Sequence, residues 1–146
     1  MNAIAPRFCF RQARERVGLA PDELAKRCEI PPSCVYDIEA FDDELTSSYS
    51  PRDIHKFCRI LGISPKELFG VETSAVPITS EGLVRLIHER CRLRGVTLEQ
   101  FEDTVGWKLT GNMEPPNRLL EQITVDGLQW LCRELGIDWH RVIAGL

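Results

Sequence analysis

The chain has 146 residues, 43% hydrophobic and 27% charged, a composition that excludes a disordered or collagen-like protein. Its formal net charge of -4 means that any contact with nucleic acid must come from a local basic face and not from the overall charge. No run of about 18 apolar residues offers a membrane span, and the opening residues lack the basic-then-apolar order of a signal peptide; the expected location is the cytoplasm, with no membrane contact.

Phe8 to Val17 has the spacing of a helix with Phe10, Ala13 and Val17 inward, and Arg7, Arg11, Arg14 and Arg16 supply local positive charge. Gly18 is its natural stop. A second helix opens at Pro21 and runs through PDELAKRC, with acids early and bases late as the helix dipole favours. A third opens with Pro31 and Pro32 and continues SCVYDIEA. Leu24 to Cys28 is an i,i+4 step, Val35 to Ile38 an i,i+3 step, and Leu19 and Ile30 mark the turns as buried points, while small residues at 25 and 28 admit a close helix crossing.

This stretch, Gly18 to Glu39, followed by the helices up to about Phe69, resembles the Cro and lambda-repressor type (XRE family) of helix-turn-helix domains. The resemblance implies that the third helix is the reading head, with Ser33, Cys34, Tyr36 and Asp37 as base-facing positions and Arg11, Lys26 and Arg27 as phosphate contacts. It also implies a structural ion pair between Arg14 and Glu39 that locks the first helix against the third. The chain departs from the family where a glutamine often opens the second helix. Pro21 stands there without an amide donor, and Pro31 and Pro32 delete two more.

Beyond Glu39, AFDDELTSSYSPRD reads as a connection longer than the family's usual one, acidic and then rich in Ser and Thr. Ser50 and Pro51 signal the next helix, with Ile54, Phe57, Cys58 and Leu61 inward and Gly62 closing it. SPKELFG supplies a short helix that buries Leu68 and Phe69. Val71 to Thr79 has no period and contains Pro77, so it reads as a linker.

The pattern then returns. Gly18 and Gly95 align at a separation of 77, which also pairs Leu24 with Phe101 and Cys28 with Val105; FCRILGI (57 to 63) and LCRELGI (131 to 137) align at 74. A repeat of this length is a duplicated domain and not a solenoid. In the second copy Gly111 falls inside the expected third helix and Pro115 and Pro116 cross its end, while Cys91 stands at the place of Arg14 and Met113 or Pro116 at that of Glu39. The expectation is an all-α protein of two tandem five-helix lambda-repressor-like domains: 1-72 of DNA-binding type, a linker at 73-79, and 80-146 a diverged copy without a reading head.

The six cysteines, at 9, 28, 34, 58, 91 and 132, form no CxxC pair and have no histidine at ligand spacing, so no metal site or disulfide framework is expected. Cys28, Cys58 and Cys132 fall on apolar faces as core thiols, whereas Cys34 is the more exposed one. His55, His88 and His140 stand singly, in surface or cap roles, and no nucleophile elbow, phosphate loop or HExxH is present. No catalytic residue and no cofactor are expected. Trp107 and Trp139 fill a core or form a contact surface, and Trp130 is partly exposed.

The function expected from the resemblance is sequence-specific binding of double-stranded DNA by a transcriptional regulator, with the second copy serving a homodimer or a protein partner. The other reading is a protein-interaction module, antitoxin-like or a regulatory adaptor, that keeps the fold without DNA binding.

Overall fold

A computed structural model describes residues 5-70 and 76-146. The protein is all-α, with no strand among the described residues. The first half carries α1 (Pro6–Arg16), α2 (Pro21–Cys28), α3 (Pro32–Ala40), α4 (Glu44–Ser47), α5 (Pro51–Leu61) and α6 (Pro65–Phe69). The second carries α7 (Ser80–Arg94), α8 (Leu98–Val105), a 3-10 turn at Pro116–Arg118, α9 (Leu119–Gln122), α10 (Val125–Leu135) and α11 (Trp139–Ala144).

Side-chain caps set several of these starts. Ser50 Oγ accepts from the amide of Asp53 and the Asp53 carboxylate accepts from the amide of Ser50, both at 3.1 Å, so two donors at the N-terminus of α5 are satisfied reciprocally. Thr97 and Gln100 do the same for α8. Thr124 accepts from the amide of Gly127 at 3.1 Å to start α10, but a glycine returns no bond. Gly18, Gly62, Gly95 and Gly136 all take left-handed backbone angles where helices end. Glu29 is the one non-glycine residue that does so among those described, at the end of α2, and there its carboxylate pairs with Lys56 of α5 at 2.9 Å.

The repeat read from sequence has a counterpart in the element bounds. α2 and α8 start and end 77 residues apart, and α5 and α10 start and end 74 apart. Between them the halves differ. Where the first has α3, the second has turns and the short 3-10 segment.

Buried side chains from both halves form one continuous core, in which Phe10, Leu24, Ile38 and Phe57 join Ile87, Phe101, Leu128 and Leu131. α4 packs on α10, α5 on α9 and α11, and α6 on α11. The first amide of α10, on Val125, has no partner within its own helix and donates to the carbonyl of Tyr49 at 3.0 Å, so one half satisfies the other's helix end. Phe69 and Trp139 meet edge to face, their ring centres 5.0 Å apart, and aromatic pairs of this geometry add to the area they bury.

Several expectations are corrected. Val17 was expected inward but is 42% exposed, because α1 ends at Arg16 and Gly18 swings the chain away. Ile30 is only half-buried. The 40 to 50 connection is not a plain loop: α4 forms within it and buries Leu45, with Tyr49 behind. His140 is buried, its Nδ1 2.7 Å from Asp138 Oδ1 and its ring against Trp139. The expected linker falls partly on 71-75, outside the described residues; Ile78 after it is buried, and its amide donates to the carbonyl of Arg141 at 2.9 Å. Trp130 is exposed, and Cys28, Cys58 and Cys132 are buried.

Candidate nucleic-acid interface

The two helices of the candidate interface meet because their apolar residues interlock: Leu24, Ala25 and Cys28 of α2 and Val35 and Ile38 of α3 are all buried. With no side chain beyond a methyl, Ala25 lets the helices cross closely. That burial turns the other face of α3 outward, so Ser33, Tyr36 and Asp37, at helical spacing, share one exposed surface, and Tyr36 is 54% exposed.

Beneath that surface Arg14 and Glu39 form an ion pair. Arg14 Nε donates to Glu39 Oε1 at 2.6 Å and Nη2 approaches Oε2 at 3.4 Å, while Nη1 donates to the carbonyl of Leu19 at 2.8 Å. The two side chains are only 10% and 11% exposed. One guanidinium thus joins α1, the α1–α2 turn and α3, and its planar fork supplies the geometry for all three acceptors.

Above the pair lies a shallow cleft of about 370 Å³ lined by Arg11, Pro21, Tyr36 and Glu39 among others. Arg11 and Tyr36, expected as a phosphate contact and a base-facing residue, are therefore brought together. Lys26 and Arg27 are not. They sit exposed in the last turn of α2 and do not line the cleft, and among the described residues neither makes an ion pair. Cys34 is corrected as a base-facing residue: it is half-buried and hydrogen-bonded to the hydroxyl of Tyr49. Burial first, and that bond second, push the Tyr49 hydroxyl well above the usual phenol range.

The electrostatics of this surface are close to balanced. Arg7 pairs with Asp42, Arg11 with Glu15 and Arg14 with Glu39, so each arginine of α1 near α3 already faces a carboxylate. Asp37 adds a negative charge to the exposed face. Another cation-bearing face, which sequence reasoning did not single out, lies on α5. Arg52, His55, Lys56 and Arg59 border a cleft of about 650 Å³, and their spacing of three, four and seven residues was the available signal. Burial, then Arg59 and Arg52, hold His55 below the usual imidazole range. Among the described residues no group of three or more His, Cys, Asp and Glu is placed to hold a metal ion, and no helix is long and apolar enough to cross a membrane.

No known protein family, curated protein or solved structure matches this chain.

Proposed function

We infer that the protein is a DNA-binding transcriptional regulator of the Cro and lambda-repressor type, which sets α3 against the major groove through Ser33, Tyr36 and Asp37. The observation that carries this reading is the buried Arg14–Glu39 pair, which fixes α3 on α1 and α2 while leaving those polar side chains outward. Arg11, Lys26 and Arg27 contact the flanking phosphates. The second half is a diverged copy of the same domain that lost the reading helix and serves dimerisation, since one such domain ordinarily reads half of a two-fold site.

Fluorescence anisotropy against random duplex at low and moderate salt tests it. Binding that weakens as salt rises is expected, because phosphate contacts release counterions. Tyr36→Ala lowers selectivity between duplexes. No binding at low salt, or selectivity unchanged in Tyr36→Ala, overturns the reading. A second reading, a protein-interaction module with the same fold, is favoured by the paired arginines of α1 and the acidic Asp42, Asp43 and Glu44 beside α3. It expects no salt-dependent DNA binding.

A further inference from the structure

The two halves carry cavities at corresponding places. The cleft over the Arg14–Glu39 pair is lined by Arg11, Pro21, Tyr36 and Glu39. A larger cavity in the second half, about 600 Å³, is lined by His88, Leu98, Met113 and Pro116, each 77 residues further on. The chemistry has been exchanged. Charged Arg11 and Glu39 give way to a neutral ring and a proline, and polar Tyr36 to methionine; Val84 and Leu109 complete apolar walls.

The cavity exists because the third helix does not. Leu109 and Met113 of the replacing segment are buried and form part of the lining. That segment is held in place by Glu102 of α8, whose carboxylate accepts from the amide of Leu109 at 2.8 Å and also from the amide of Thr110. Bonds from Thr110, then that from Leu109, hold the Glu102 carboxyl below its usual range, so the clamp persists at neutral pH. Glu114 is the only lining residue with a formal charge at neutral pH, with His88 neutral.

The volume is that of a small-molecule site, which is characteristically apolar with a few polar groups that set orientation. We propose that this cavity binds a small, mostly apolar molecule bearing one amine, its body against Val84, Leu98, Leu109 and Met113 and its ammonium group at Glu114. The assignment stands apart from the DNA reading and needs no nucleic acid to test.

Methionine-methyl NMR on the full chain decides it, because the chain has two methionines, Met1 and Met113, and Met113 lines the cavity. The probes are 2-naphthylmethylamine and 2-naphthoate, alike in apolar body and opposite in charge. Saturable displacement of the Met113 signal by the amine, with Met1 unmoved, is expected. The amine binds about two- to fivefold more tightly than the carboxylate, the scale of an exposed ion pair. Glu114→Gln keeps binding and removes that difference, and Val84→Arg abolishes the shift. No saturable Met113 shift, equal displacement of both methionines, equal affinity for the two probes in the wild type, or a preference that survives Glu114→Gln overturns the proposal. The wild-type and Glu114→Gln readings decide it even where Val84→Arg fails to fold.

Discussion

The two halves hold corresponding helices together by different chemistry. In the first, Arg14 and Glu39 bind α1 to α3 through a buried ion pair. In the second, Cys91 and Met113 stand at the matching places and are both buried, and α7 is tied instead to the end of α10 by Arg90, whose guanidinium donates to the carbonyl of Leu135 at 2.9 Å. A buried pair is held only when both charges are present, so its two members must be lost together. Once they are lost, a third helix is no longer required, and a segment clamped by Glu102 takes its place.

The largest test of that contrast is Arg14→Ala. It leaves the Glu39 carboxylate buried without a partner and lowers stability by about 3 to 5 kcal/mol in denaturant unfolding. Replacing both residues by methionine recovers most of the loss, as the apolar solution of the second half leads one to expect. All three tryptophans lie in the second half. Because the core is continuous, Arg14→Ala shifts the tryptophan-fluorescence transition as far as the helical circular dichroism signal; a shift confined to circular dichroism would mean that the halves unfold separately.

Next in size is Gly127→Ala. In an open helix position this change gains up to about 1 kcal/mol, but here a Cβ would run into the Trp107 ring and the Ile123 side chain. A net loss of about 1 to 3 kcal/mol in thermal unfolding is expected. The matching residue of the first half, Asp53, is the returning arm of a capping box, so the two halves use one position in opposite ways.

The caps themselves give a smaller effect. Ser50→Ala and Thr124→Ala each cost about 1 kcal/mol in the same measurement. Ser50→Ala is the larger because its loss also loosens the reciprocal Asp53 bond. Equal effects would remove the distinction between the two starts.

The smallest effect at neutral pH is that of the paired core thiols, Cys58 and Cys132, at a separation of 74. Burial pushes each up to about 12 from an ordinary value of 9.0. A folded value above the unfolded one gives stability that is whole below about pH 9 and is lost as pH rises toward 12. Midpoints in urea should therefore fall between pH 8.5 and about 10.5, and Cys58→Ser or Cys132→Ser flattens the slope. Both thiols stay unreactive to alkylation in the folded protein at neutral pH.

Much of the helical layout was legible in the residues because its causes are local. Pro21, Ser50 with Pro51, and the glycines at 18, 62, 95 and 136 act on the backbone within a few residues, and Ile54, Phe57, Cys58 and Leu61 mark one face by spacing alone. α4 was not legible, since a single turn of ELTS carries no period and forms where Leu45 and Tyr49 find a core to enter. The candidate interface divides in the same way. Helical spacing put Ser33, Tyr36 and Asp37 on one outward face, but Cys34 turns toward Tyr49, which lies 15 residues on and beyond α4.

By itself, then, the sequence determined an all-α chain, the helix starts and stops, most of the buried stripe, and a spacing of 74 to 77 residues between like elements. Tertiary structure alone decided which side chains near each helix end face inward, as with Val17 and His140, and how the arginines of α1 are neutralised. It alone joined the halves through Tyr49, Val125, Phe69 and Trp139, and opened a cavity where the third helix is missing. The reason is distance along the chain. Caps and periodicity act over one or two turns, whereas burial, pairing and shape depend on partners tens of residues away.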